Sequence, residues 1–377
     1  MNSLDAYTAL GSVLRPFALP YAAMMAARRA CYTQGLLSSF SPACPCVAVG
    51  NIAWGGSGKT PFVAWLLAWA RARKLKAVVL TRGYGGNPGK SPLLVEAKTC
   101  EEHAGDEPLM LAQEFPEASV LSFPGRAESA RYAEEHLRPD IFILDDGMQH
   151  LAVRRHVDIV LLRPEDLEKE WNRVIPSGSW REGVSALKAA SVFAVRAGEE
   201  EFSRLTPLVE RRLSAFRKSV FSFLPAPRGL RLLYPDQAHP ALLPKEAQPL
   251  LPPHEYADRP YILMSGVGNP ASVEENARIL MGRPPLQHFA FADHHPYTAA
   301  DVQAVVKLSA APLPVLCTAK DAVKLKAFGE DWGHTPVWVM ETELEFGPAL
   351  FSERGFPQWW ENWWDTRNTG AEATFQR

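Results

Sequence analysis

The segment Val49-Gly50-Asn51-Ile52-Ala53-Trp54-Gly55-Gly56-Ser57-Gly58-Lys59-Thr60-Pro61 constrains this chain more than any other. An apolar run, Val47–Val49, precedes the glycines and a second, Phe62–Ala70, follows them. That is the strand, loop, helix order of a phosphate-binding loop. Glycines let backbone N–H groups turn towards an anion, and the helix N-terminus adds partial positive charge. Pro61 suits the first turn of that helix. Ala53 stands where the strict G-x-x-x-x-G-K-[ST] pattern has its first glycine. The sequence predicts a nucleoside triphosphate held by Gly55, Gly56, Ser57, Gly58, Lys59 and Thr60, with Lys59 on the terminal phosphates and Thr60 on Mg²⁺.

From residue 47 onward, short β-rich runs alternate with helical ones. Strands are expected at Val47–Gly50, Ala77–Thr81, Ser119–Phe123, Ile141–Leu144, Val157–Leu162 and Ser191–Val195. Helices are expected at Pro61–Arg73, Glu107–Phe115, Ala127–Leu137 and Glu200–Phe216. Such alternation predicts an α/β fold of the P-loop NTPase type, a mostly parallel sheet with helices on both faces. Residues 225–260 hold nine of the 32 prolines and little periodicity, so they read as a connecting region. Beyond it, Tyr261–Ser265, Gln287–Phe291, Val315–Thr318 and Val337–Met340 read as strands, with helices at Ser272–Met281 and Thr298–Leu308. The expected division is an N-terminal segment 1–40, a kinase domain 41–224, the connector 225–260, a smaller α/β domain 261–345 and a tail 346–377. In the tail, Trp359, Trp360, Trp363 and Trp364 pair at i, i+4 spacing, which suits a packing patch or a partner or membrane surface. Residues 367–377 read as disordered.

A formal net charge of −2 gives no footprint of a nucleic-acid binder. The five cysteines include no C-x-x-C pair, which disfavours a disulfide framework and a zinc site and suits a reducing compartment. Near the N-terminus, Ala6–Leu14 and Pro16–Ala27 are free of charge, with Arg15, Arg28 and Arg29 at the breaks. Neither stretch reaches the ~20 apolar residues that span a bilayer, and Pro16 and Pro20 are expected to interrupt the helix. A helix lying in the membrane interface, its arginines towards anionic headgroups, fits this pattern, and a terminal helix packed on its own domain is the alternative.

Several stretches carry chemistry. Ile141–Leu144 ends in Asp145 and Asp146, and a buried parallel strand delivers such carboxylates to the crevice where ligands bind, where a Mg²⁺-holding acid is needed. Arg82-Gly83-Tyr84-Gly85-Gly86 follows the second strand at the same sheet edge. In Gly105-Asp106-Glu107-Pro108, spacing alone favours Asp106 as a helix N-cap over Asp106 as the acceptor of a hydroxyl proton. Arg126, Arg173 and Arg181 lie in loops, and planar guanidinium forks suit phosphate oxygens. Asp293-His294-His295 ends a later strand without a further Cys/His cluster, so either histidine can be structural or can tune a carboxylate.

Together these stretches resemble the tetraacyldisaccharide 4′-kinases of lipid A biosynthesis. The resemblance rests on Val49–Pro61, Arg82–Gly86, Gly105–Pro108, Leu144-Asp145-Asp146-Gly147-Met148-Gln149-His150, Ile175–Gly183, Gly266–Pro270, Asp293–Thr298 and Thr318-Ala319-Lys320-Asp321-Ala322-Val323-Lys324-Leu325, in that order. It implies transfer of the ATP γ-phosphoryl group to the 4′-hydroxyl of a tetraacyl glucosamine disaccharide 1-phosphate, forming lipid IVA at the cytoplasmic face of the inner membrane. The implied cofactors are ATP and Mg²⁺. The implied partners are the acylated lipid and a membrane surface, with no nucleic acid and no obligate protein partner. The resemblance implies that Lys59 and the loop amides bind phosphate, and that Thr60, Asp145 and Asp146 hold the metal. It makes Asp106 the base and His294 its helper, and gives Arg126 and Arg181 the phosphate charge or the acceptor. Glu182 and Gln149 lie in the same stretches. The chain departs from the family pattern at Met148, usually an aromatic, at Ala319, commonly an acid, and at Ser57, frequently a threonine. The alternative from another class is a membrane-associated nucleotide switch; such loops commonly carry an extra lysine where this chain has Trp54.

Overall fold

The computed structural model describes residues 3–234, 258–308 and 313–368. Its strands, in chain order, are β1 (Cys46–Asn51), β2 (Ala77–Thr81), β3 (Leu93–Val95), β4 (Ser119–Ser122), β5 (Ile141–Asp145), β6 (Val157–Leu162), β7 (Val192–Arg196), β8 (Val220–Leu232), β9 (Ile262–Ser265), β10 (Gln287–Ala290), β11 (Val315–Thr318) and β12 (Val337–Leu350). The α-helices are α1 (Ser3–Thr33), α2 (Lys59–Ala72), α3 (Glu101–Ala104), α4 (Asp106–Glu114), α5 (Arg126–His136), α6 (Pro164–Leu167), α7 (Glu199–Leu213), α8 (Pro270–Met281), α9 (Ala299–Lys307), α10 (Ala319–Leu325) and α11 (Phe356–Asn368). By contact density the chain forms two compact units, one from residues 1–63, 139–224 and 344–377, the other from 64–138 and 225–343. Both are discontinuous in sequence, so residues 64–138 cluster with the C-terminal segment rather than with the phosphate loop.

In the first unit, β1 lies between β5 and β6, and β6, β7 and β8 follow in turn, every pairing parallel. Each residue of β1 and β5 is buried, which is why Cys46–Val49 and Ile141–Leu144 are continuous apolar runs rather than alternating ones. The core on one side gathers Ile52, Trp180, Leu187, Phe193 and Phe202. The tryptophans of α11 are packing groups: Trp360 and Trp364 are buried, and Phe356 stands 5.0 Å from Phe62 and 4.9 Å from Phe346 between ring centroids.

α1 corrects one expectation. It runs unbroken through Pro16 and Pro20. Both prolines are exposed, where solvent compensates the hydrogen bond that each omits. Two of the three arginines also face protein rather than headgroups. Arg29 makes a two-pronged pair with Glu182 at 2.8 and 2.9 Å and donates to Met148 O, and Arg28 donates to Gln149 O. The Glu182 side chain is only 2% exposed, so removing Arg29 would leave a buried charge, at a cost of about 3–5 kcal/mol. Arg15 stays exposed.

In the second unit, β4 pairs with β2 in parallel and with β3 antiparallel. β9 lies between β10 and β11, and β11 pairs with β12, all parallel. Its cores gather Ile262, Tyr297, Val302 and Trp332 around one face, and Tyr261, Leu280 and Trp338 around another. The stretch read as a connector begins as structure, because β8 continues to Leu232 through Pro225 and Pro227. Residues 235–257, most of that proline-rich stretch, and the tail beyond 368 lie outside the described residues.

Candidate active site

In the first unit the phosphate loop leaves β1 at Asn51 and enters α2 at Lys59. Gly58 takes φ +88°, and a Cβ there would stand 3.0 Å from the Phe223 ring, so only glycine closes this turn. The loop is held from outside by residues 174–181. Trp54 N–H donates to Ser179 O, Arg181 N–H donates to Ile52 O at 2.7 Å, and Ala53 bridges Trp180, whose indole is fully buried. This backbone pairing aims the Arg181 side chain.

Arg181 donates from both Nη atoms to Asp146, at 2.8 and 2.9 Å, and from Nη2 to Asn51 Oδ1. Lys59 Nζ donates to the same Asn51 oxygen at 3.2 Å and lies 3.6 Å from Asp146. Asn51 is fully buried, and its Nδ2 donates to Ala53 O. It joins the loop lysine to the arginine, a role that its place at a strand end did not announce. Burial favours a neutral Asp146, but the hydrogen bonds from Arg181 and the nearby Lys59 charge outweigh it and hold the carboxyl far below the usual carboxylate range. Asp146 sits in the left-handed region at φ +51°, so β5 turns directly into the 147–149 turn, from which Gln149 donates to Asn51 O.

Two further arginines flank the loop. Arg163, gripped by Asp166 at 2.9 and 3.1 Å, places Nη1 3.0 Å from where a Cβ would stand on Gly55. Arg196, the last residue of β7, donates to Gly56 O at 2.8 Å. Both look like ordinary surface residues in the sequence; their positions at the carboxyl ends of β6 and β7 were the available signal. Arg173 is spent locally, on Glu170 and Ser177 O.

For a metal, the first unit offers Thr60 in the first turn of α2, Asp145 at the end of β5 and Asp146 beside it. Asp145 is 7% exposed and stands opposite Val49 in the β1–β5 register. These are hard oxygen donors, and they fit Mg²⁺, which takes one or two carboxylates and completes its shell with water and phosphate. Among the described residues no group of three or more His, Cys, Asp or Glu forms a metal cage by itself.

The second unit holds the other cluster. Gly105, at φ +85°, precedes α4, and a Cβ there would stand 2.7 Å from Tyr84 O, so the Gly83–Gly86 loop lies directly on it. Asp106 is the first residue of α4 and does not cap it, which corrects the expectation from spacing. The cap position is Gly105, and Asp106 Oδ1 accepts the adjacent Glu107 N–H at 3.0 Å. Its Oδ2 instead faces His294 Nδ1 at 2.8 Å, although the side chain is 2% exposed. Lys324 Nζ and Lys320 Nζ lie 3.5 and 3.6 Å from the same oxygen. His295 turns the other way, stacked on Phe291 and within 3.3 Å of Asp301. Tyr84 is exposed, its ring 5.4 Å from that of His294. Arg126 begins α5 and folds back on Phe123 O and Pro124 O. Asp106 and His294, placed in different domains by the linear reading, belong to one compact unit.

A family model described as tetraacyldisaccharide-1-P 4′-kinase matches residues 10–354. The chain is 46% identical to the tetraacyldisaccharide 4′-kinase of Nitratidesulfovibrio vulgaris, over 94% of each chain. It is 31% identical to the enzyme of the same name from Aeromonas hydrophila, over 86% of this chain and 87% of that one. Among solved structures it is similar to LpxK from Aquifex aeolicus in complex with ATP, with a TM-score of 0.69 and 27% identity, covering 90% of this chain and 95% of that one.

The Asp146 network sets an acid limit on stability. A carboxyl held below its unfolded value of about 3.9 stabilises the fold above that pH, and this contribution is lost as pH falls through the lower folded value. Urea midpoints of the wild type and Asp146→Asn are expected to differ at pH 7 and to converge as pH drops below about 4. A gap that stays constant down to pH 3 would contradict the network.

Proposed function

Because the chain belongs to the tetraacyldisaccharide 4′-kinase family, we propose that it transfers the γ-phosphoryl group of ATP to the 4′-hydroxyl of a tetraacylated glucosamine disaccharide 1-phosphate, with Asp106 as the base and the Lys59 loop as the phosphate cradle. The observation that carries this reading is the 2.8 Å contact between Asp106 and His294. A phosphate loop alone describes any nucleotide hydrolase or switch; transfer to an alcohol also needs an acceptor for the hydroxyl proton.

In this reading the acceptor oxygen attacks the γ-phosphorus, its proton passes to an Asp106 oxygen, and the bond from the γ-phosphorus to the β-bridging oxygen breaks to release ADP. Lys59 and the loop amides neutralise charge on the phosphates, and Arg181, held beside the loop by its fork on Asp146, adds a second positive charge there. Arg126 is assigned to phosphate charge or the acceptor. Thr60, Asp145 and Asp146 would hold Mg²⁺, which when bound lowers the charge of the β- and γ-phosphates.

The acceptor carries acyl chains, and we propose that α1 docks on the cytoplasmic face of the inner membrane, where that lipid lies. Phe17, Leu19 and Met24 are 67%, 71% and 57% exposed, as are Leu36 just beyond the helix at 71% and Leu37 at 43%. This exposed apolar surface is what supports a helix laid in the interface; no described helix is long and apolar enough to cross a membrane.

Two outcomes follow. With labelled ATP and the disaccharide lipid in mixed micelles, Lys59→Ala and Asp106→Ala are each expected to lower turnover at least about 100-fold, the scale of a lost general base, with ATP binding retained in Asp106→Ala. Turnover within about tenfold of wild type in Asp106→Ala would remove the base assignment. Phe17→Glu with Leu19→Glu is expected to reduce sedimentation with anionic vesicles several-fold, and undiminished sedimentation would contradict docking through α1.

A further inference from the structure

We propose that Arg29 of α1 is a positioning residue for the nucleotide site: it ties the turn that follows Asp146 to the residue that follows Arg181, and so sets the geometry of the fork between those two. Two loops meet at this one guanidinium. Nε and Nη2 donate to Glu182 at 2.9 and 2.8 Å, and Nη2 also donates to Met148 O at 3.2 Å. Glu182 is the neighbour of Arg181 in the chain, and Met148 lies two residues beyond Asp146. The fork and the Arg29 tie therefore join the same two loops at separate points. One point of attachment leaves a hinge, whereas two fix a relative orientation.

Both ends of the tie are themselves held. The Arg29 and Glu182 side chains are 14% and 2% exposed, so their pairing is largely shielded from water and its planar geometry is enforced. Met148 sits directly on β1, since a Cβ on Gly50 would stand 2.6 Å from Met148 N. Arg28 donates to Gln149 O at 3.2 Å while Gln149 donates to Asn51 O at 3.2 Å, so the 147–149 turn is gripped from α1 and from β1 at once. Earlier in the helix, Tyr21 and Ala22 pack on the core group that contains Ile52, Ala53, Met148 and Trp180. Burial raises the pKa of the Tyr21 hydroxyl, with the Glu182 charge adding to the shift and Arg181 and Arg28 opposing it, as expected of a ring that lies beside all three.

The proposal rests on the reading of Arg181 and Asp146 as part of the ATP site and adds what orients them. Arg29 acts through those two residues. A lysine at this position keeps the positive charge on Glu182, but its single ammonium lacks the planar fork that meets a carboxylate twice and a carbonyl as well. α1 thereby has two duties: its exposed apolar side chains face outward, and its last turns brace the phosphate-binding end of the same compact unit.

The test is a double-mutant cycle in stability, run on the full chain at pH 7 without nucleotide or lipid: wild type, Arg29→Lys, Asp146→Asn and the double variant, read as urea midpoints. If Arg29 positions the fork, the midpoint lost on Asp146→Asn should shrink in the Arg29→Lys background to about half or less of the loss in the wild type. An equal loss in both backgrounds would show that Arg29 only fastens α1 and would overturn the proposal, however far Arg29→Lys alone is destabilised. Glu182→Gln, which keeps the shape of the side chain, serves as a second partner in the cycle, with the same shrinkage expected, so the question is still decided should Arg29→Lys not fold. In the micelle assay Arg29→Lys should lower kcat at least about tenfold while sedimenting with anionic vesicles as the wild type does, and a wild-type kcat would also overturn the proposal. A wild type that transfers no phosphoryl group to the lipid would remove the proposed function and leave the stability cycle to decide the role of Arg29.

Discussion

The fork of Arg181 on Asp146, tied through Asn51 to Lys59, is the interaction on which the nucleotide end of the protein depends. Its parts come from distant places in sequence. Asn51 ends β1, Asp146 follows β5, and Arg181 belongs to a loop that pairs with the phosphate loop by backbone hydrogen bonds. The parallel register sets Asp145 against Val49, which carries the next residue, Asp146, towards Asn51. Two cations and one carboxylate share a small volume, so the network is poised for further negative charge, which a triphosphate supplies.

Two site residues, Asp146 and His294, are non-glycine residues in the left-handed region, at φ +51° and +60°. Each such conformation costs of the order of 1 kcal/mol or more and persists only where its surroundings hold it. At Asp146 the hold is the Arg181 fork and the turn to Gln149; at His294 it is Asp106 on one side and Lys320 on the other. Each follows the carboxyl end of a strand of its own unit, β5 for Asp146 and β10 for His294, the end at which open α/β sheets bind ligands. At these two residues the left-handed turn sets the direction of a candidate site side chain; the same conformation also occurs away from the site, at Lys74 and Arg217 among others.

How far the sequence revealed this depended on whether a residue's role was local. The phosphate loop was legible because three glycines, a lysine and the flanking apolar runs state their geometry in one stretch. β2, β6 and β11 appear at the expected residues because they are short, largely apolar runs between polar turns. β8 was hidden by Pro225 and Pro227. The far half of β12 was hidden by a charged stretch, in which Glu341 pairs with Arg231 and Glu343 with Arg228. Asn51, Arg163 and Arg196 carry no local signature, since each acquires its meaning from strand order. Asp106 reads as a cap until His294, 188 residues away, is seen to meet it; only the family resemblance indicated that pairing beforehand.

The most direct test of the central network is a double-mutant cycle between Asn51 and Arg181, read as kcat/KM for phosphoryl transfer to the lipid. If both act through one network on the loop, Asn51→Ala and Arg181→Ala should each lower kcat/KM, and the double variant should be no slower than about threefold below the worse single variant. Effects that multiply in full would show two independent contributions and contradict the account.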